Sequence, residues 1–137
     1  MSWSLRSTCN ESTPGHPCVF WFVDDHPNLS SLERNIIADS DNELLISPAS
    51  YWEIAIKVSL GKWVLNRPFQ ELLDIAIVQY GFRIIPILPS HTERLLTMPF
   101  DHRDPFDRML IAQAMVEQIP IVSADVVIDA YAIERKW

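Results

Sequence analysis

The chain has 137 residues, 48% of them hydrophobic, which suits one domain that buries about two-thirds of the surface its unfolded chain exposes and leaves no room for a second. Eleven Lys and Arg against 18 Asp and Glu give a net charge of -7, which excludes a protein that coats nucleic acid through a general positive field. The charge leaves room for a nuclease, which gathers carboxylates around cations and reaches phosphate through them.

In chain order, the first 20 residues fit least well. The stretch MSWSLRSTCNESTPGHP is dense in turn and breaker residues and offers no run long enough for an element. Cys9 and Cys18 lack the paired spacing of a zinc motif, so Cys9, His16 and Cys18 are set aside as a metal site, and the two thiols fit a reducing, cytoplasmic setting. The start shows no charged-then-apolar export pattern, and no apolar run approaches the roughly 18 residues of a membrane span. The chain therefore divides into an atypical segment, 1–19, and a domain, 20–137.

From residue 44 on, short apolar runs alternate with helical periods. Residues 44–47 read as a strand, and 50–60 as a helix stopped by Gly61, with Trp52, Ile56 and Leu60 on its apolar stripe and Ala55 and Val58 beside it. Residues 69–80 form a second amphipathic helix ended by Gly81, 82–88 a proline-interrupted strand, and 90–97 a small helix. Residues 104–117 are a helix with Pro105 at its first position, where the missing N–H costs nothing. Residues 119–123 are a strand, and the last residues return as an edge strand. This alternation implies an α/β fold with a parallel sheet covered on both faces.

Three acids fall where a strand gives way to a helix or loop: Glu53, one turn past Ser50; Asp107, three residues past Asp104; and Asp125, just beyond the strand 119–123. In a parallel sheet those positions share the carboxyl edge, where such sheets bind ligands. Capping explains each acid singly, through a Ser50–Glu53 capping box and an Asp104 N-cap with Asp107 in the first turn, but it leaves Asp125 unexplained. Two carboxylates 4 Å apart repel by about 1 kcal/mol in water and about 4 at an intermediate dielectric, so a converged cluster needs a cation or raised pKa values. Oxygen ligands suit magnesium or manganese rather than zinc.

The segments SPASYWEIAIKVSLGK, MPFDHRDPFDRMLIAQAMVE and IPIVSADVVIDAYAIERKW, in this order, resemble the PIN-domain toxins of the VapC type from bacterial toxin-antitoxin pairs; the similarity runs from about Phe20 to Trp137. The resemblance implies a parallel sheet in the order 3-2-1-4-5 flanked by helices, and magnesium-dependent cleavage of RNA, with Mn2+ as a substitute. It places the catalytic, metal-holding carboxylates on Glu53, Asp107 and Asp125, with Asp104 and Ser50 beside them, Ser47 and Ser50 orienting ligands or water, and Asp104 foremost the N-cap. It also implies a small antitoxin partner, a homodimer and a cytoplasmic protein with no membrane association. His102 and Arg103 are read first as surface-loop residues and second as phosphate binders, and Trp52 as core rather than a base-stacking platform.

The family's first strand ends in an aspartate, in a motif such as Leu-Leu-Asp-Thr-His, and this chain has none. Asp24, the alternative acid, falls in the loop after the family's first helix. The stretch NESTPGHPCV can be encoded so that the same bases, read one position later, give Met-Asn-Leu-Leu-Leu-Asp-Thr-His-Val, the start the family expects. Residues 1–19 then read as out-of-frame sequence, with the first strand missing or replaced, its two neighbours unpaired, and a three-acid site of impaired activity. On that view, a toxin remnant that only binds antitoxin or dimerises is the alternative to an active ribonuclease.

Overall fold

The computed structural model of the chain describes residues 2–6, 35, 42–122 and 126–136. The expectations placed on Cys9, His16, Cys18, Asp24 and Asp125 lie outside those residues. Five parallel strands, β1 (Ser2–Arg6), β2 (Asn42–Ile46), β3 (Arg83–Ile84), β4 (Ile121–Val122) and β5 (Arg135–Lys136), form one sheet in the order β3-β2-β1-β4-β5. This is the 3-2-1-4-5 order that the resemblance implies.

The central strand is one that the composition of the first residues argued against. Ser4 pairs with Leu44 and Leu5 with Leu45 on one side, while Leu5 pairs with Ile121 and Arg6 with Val122 on the other. β2 and β4 therefore each have a hydrogen-bonded neighbour, which corrects the expectation that they would be left unpaired. The reason is that a ladder uses backbone N–H and C=O groups, and SWSLR contains no proline or glycine to interrupt one.

The residue types of β1 still depart from those of its neighbours. Leu44, Leu45, Ile46, Ile121 and Val122 on the flanking strands are all buried, as expected of strands covered on both faces. β1 places Ser4 beside Leu44 and Arg6 beside Val122. Replacing Ser4 with Val is thus expected to stabilise the fold by about 1 kcal/mol, read as a higher urea midpoint at unchanged slope. A lowered midpoint would argue against a central position for β1.

Alternation along β2 divides the core. Leu45 joins Met98, Leu110, Ile111, Ile121 and Ile128 on one face, while Leu44 and Ile46 join Ile54, Leu72, Ala76 and Phe82 on the other. The covering helices are α1 (Pro48–Ser59), α2 (Phe69–Asp74, continued by a wider π turn over Ile75–Gln79), α3 (Pro89–Leu95) and α4 (Pro105–Glu117), followed by a tight turn, Val126–Ala130. Gly61 and Gly81, with φ of 71° and 70°, close the helical segments before them as the sequence predicts. β3 is shorter than expected because Pro86 has no N–H for the ladder, and the buried Gln113 amide donates to the Pro86 carbonyl at 3.3 Å instead. Among the described residues, no helix is long and apolar enough to cross a membrane.

α1 differs from its prediction in two ways that matter for the site. It starts earlier, because Ser47 is the N-cap and accepts a hydrogen bond from the Ala49 N–H at 3.2 Å, with Pro48 opening the helix. The Ser50–Glu53 capping box is therefore absent: Ser50 is already inside the helix and its N–H donates to the Ser47 carbonyl at 2.9 Å. Two residues of the predicted apolar stripe also face outward, Trp52 60% and Leu60 62% exposed, with Ile56 half-buried, while Ala49, Ser50, Glu53 and Ile54 are buried. The turn at Ser47–Pro48, directly after β2, sets the rotation of the helix and overrides its apolar period.

Candidate active site

Because α1 leaves the carboxyl end of β2 through Ser47, it carries Glu53 inward, to 2% exposure. Glu53 Oε2 lies 3.2 Å from Lys57 Nζ one turn later. Its other oxygen, Oε1, is buried and makes no hydrogen bond among the described residues. Burial, reinforced by the nearby Asp107 charge, pushes the Glu53 carboxyl up from 4.5 to about 8; Lys57 opposes the shift and Asp104 adds slightly to it. An acid in this setting does not serve as a helix cap.

α4 delivers Asp107 toward the same place. Asp104 is the N-cap, as predicted, its carboxylate accepting from the N–H groups of Phe106 at 2.9 Å and Asp107 at 3.1 Å. The Asp107 side chain, 4% exposed, follows one turn inside the helix. Its Oδ2 lies 3.2 Å from His102 Nε2. The Asp104 N–H donates to His102 Nδ1 at 3.2 Å, so Nδ1 is the acceptor and Nε2 carries the proton that faces Asp107.

The loop that presents His102 is held from two sides. Arg108 Nη1 donates to the carbonyls of Pro99 at 2.9 Å and His102 at 3.1 Å, while its guanidinium lies 4.2 Å from the centre of the Phe100 ring. The Tyr131 hydroxyl donates to the Pro99 carbonyl at 2.8 Å and accepts from the His102 N–H at 2.9 Å.

Of the residues singled out from the sequence, Glu53, Asp107 and Asp104 come together between α1 and α4, with Ser50 buried at 1% exposure on the same helix as Glu53. Asp125 lies outside the described residues, and among those described no three His, Cys, Asp or Glu side chains form a metal-binding group. His102 is not a plain surface-loop residue, since its side chain is only 13% exposed and is engaged by Asp107; Arg103 is exposed. Trp52 is not core: it stands at the rim, edge-on to Phe106 with ring centroids 5.1 Å apart. Lys57, Arg108 and Tyr131 were not anticipated. Lys57 was legible from its spacing of four from Glu53, whereas nothing in the sequence announces a tyrosine reaching back 32 residues to Pro99.

The PIN domain family model matches residues 18–134. The chain belongs to the PIN-domain family. The matched stretch carries Glu53, Asp104, Asp107 and Asp125, and β1 precedes it. Among solved structures, this PIN domain is similar to VapBC2 from Rickettsia felis, crystallised bound to a DNA fragment from their promoter, with a TM-score of 0.63 and 14% identity over 99% of this chain and 98% of that one. That likeness concerns the fold. No curated protein matches the sequence.

Proposed function

We propose that this PIN domain is a magnesium-dependent ribonuclease toxin of the VapC type, with Mn2+ as a substitute, and that the chain as written is impaired because its first strand supplies no aspartate. The observation that carries the reading is Glu53: a buried carboxyl with one orphaned oxygen, pushed up to about 8 and set against Asp107. Such an arrangement is costly for stability alone and is relieved by a divalent cation. The donor set is all oxygen, which fits magnesium or manganese. Glu53 and Asp107 would hold the ion, together with Asp125. When bound, the ion would supply a polarised water and charge stabilisation at the scissile phosphate. Asp104 holds the α4 N-terminus so that Asp107 is presented, His102 orients the Asp107 carboxylate, and Lys57 would balance part of the Glu53 charge once a cation has displaced the carboxyl proton.

The partners follow from the same reading: an RNA substrate, a small antitoxin protein and a second copy of the chain, in the cytoplasm. The similarity in fold to the toxin-antitoxin protein VapBC2 supports an antitoxin partner. The residues of β1 favour a second reading, a catalytically inactive remnant that acts by binding antitoxin or dimerising, because SWSLR contains no acid. Metal-dependent RNA cleavage separates the two. In protein whose first strand has been restored, Mg2+ is expected to raise cleavage and Asp107→Asn to reduce it about 100-fold or more. Cleavage that survives both chelation and Asp107→Asn would rule out a metal-dependent reaction at Asp107, and no cleavage at all would favour the binding-only reading.

A further inference from the structure

We infer that Tyr131 is a positioning residue, whose hydroxyl fixes the proton-bearing nitrogen of His102 toward Asp107 and so sets how well that carboxylate receives a divalent cation. The inference rests on the magnesium site proposed above and goes beyond it in naming the group that holds the site in register.

The hydrogen bonds of the loop are asymmetric. The Pro99 carbonyl has two donors, Arg108 Nη1 at 2.9 Å and the Tyr131 hydroxyl at 2.8 Å, so it keeps a partner if either is lost. The His102 N–H donates to the Tyr131 oxygen at 2.9 Å. Removing that oxygen takes an acceptor from a part-buried backbone donor, and the local backbone must turn to find water. The backbone that turns carries the His102 ring. Its Nδ1 is satisfied by the Asp104 N–H at 3.2 Å and its Nε2 faces Asp107 Oδ2 at 3.2 Å, so a small rotation weakens both contacts at once.

The position of Tyr131 gives the tether a second consequence. It is 5% exposed and its N–H donates to the Ile128 carbonyl at 3.0 Å, so it is anchored in the turn that closes Val126–Ala130. This turn begins one residue after Asp125 in sequence. One hydroxyl thus ties the loop in front of Asp107 to the segment that follows Asp125. Fixing ligand-bearing segments relative to each other is how residues behind a metal site tune its affinity.

The test is Tyr131→Phe in the full chain, which keeps the ring packing and removes only the hydroxyl. Two readouts are taken well below the thermal midpoint. Ring nitrogen NMR shifts of metal-free protein should show His102 as a single Nε2–H tautomer in the parent and a mixture of tautomers in the variant. Mn2+ affinity should fall about 10-fold in the variant, the size typical of removing a residue that orients a metal ligand. A variant with the parent's His102 tautomer and Mn2+ affinity, and only a lower midpoint, would make Tyr131 a structural tether and overturn the inference. A parent that binds no Mn2+ at all would instead overturn the proposed metal site, and this inference with it.

Discussion

Replacing residues 1–19 with Met-Asn-Leu-Leu-Leu-Asp-Thr-His-Val is expected to raise Mg2+-dependent RNA cleavage about 100-fold or more over the chain as written. The expectation comes from the position of β1, not only from a missing residue. β1 is the centre of the sheet, and its carboxyl end lies between those of β2 and β4, from which α1 carries Glu53 and the chain runs on to Asp125. An aspartate at that end adds a carboxylate from the one central strand that now contributes none. Divalent cations held by oxygen depend on ligand count and charge, so adding one ligand should act strongly on occupancy. Counted from Met1, the same replacement puts leucines at positions 3, 4 and 5, including the place of Ser4 beside Leu44, and the aspartate in the place of Arg6 at the end of the strand, so stability should rise together with activity. Equal cleavage by both proteins would show that the first-strand aspartate is dispensable, and no cleavage by either would favour the binding-only remnant.

Glu53→Gln should separate stability from function. The Glu53 carboxyl stands at about 8 in the fold against 4.5 as its ordinary value, so between those pH values the native state keeps a proton that the unfolded chain releases. The stability associated with the neutral carboxyl is complete below about pH 4.5 and is lost as pH rises through about 8. Across that window, the loss in metal-free protein is on the order of 5 kcal/mol. Glutamine carries no titrating proton. The variant should therefore be flatter with pH and more stable than the parent at pH 9 without metal, by about 2 kcal/mol once the lost Lys57 contact is allowed for. In first-strand-restored protein, it should lose cleavage by about 100-fold or more. Urea unfolding across pH, set beside cleavage rates, checks both halves. A variant destabilised at every pH would identify Glu53 as a structural partner of Lys57.

The parts of this account that were legible in sequence are those fixed by local chemistry. Pro105 behind Asp104 marks the start of α4, and the Asp104 cap follows directly. Gly61 and Gly81 mark their helix stops, and the strand–helix alternation implies the parallel sheet. The errors arose where tertiary placement overrode local pattern. Apolar spacing put Trp52, Ile56 and Leu60 on the inner face of α1, but the Ser47–Pro48 turn directs Glu53 and Ser50 inward. The sequence Ser50 to Glu53 has the spacing of a capping box, yet the helix is already under way at Ser50. SWSLR lacks the apolar run of a central strand, yet its backbone pairs on both sides. Within the site, Glu53 and Asp107 were found from their places relative to the strand ends. The tyrosine and arginine that hold the loop between Pro99 and Asp104 act through contacts that no short-range pattern encodes.

The most direct test of the site is the number of protons released when Mn2+ binds at pH 7, measured by calorimetry in buffers of different ionisation enthalpy. A Glu53 carboxyl at about 8 is mostly protonated there and must give up its proton to take a cation. The account predicts release of close to one proton in the parent and close to none in Glu53→Gln, with Mn2+ affinity at least about 10-fold weaker in the variant. Binding of equal affinity in both proteins with no proton released would place the cation elsewhere and contradict the role assigned to Glu53.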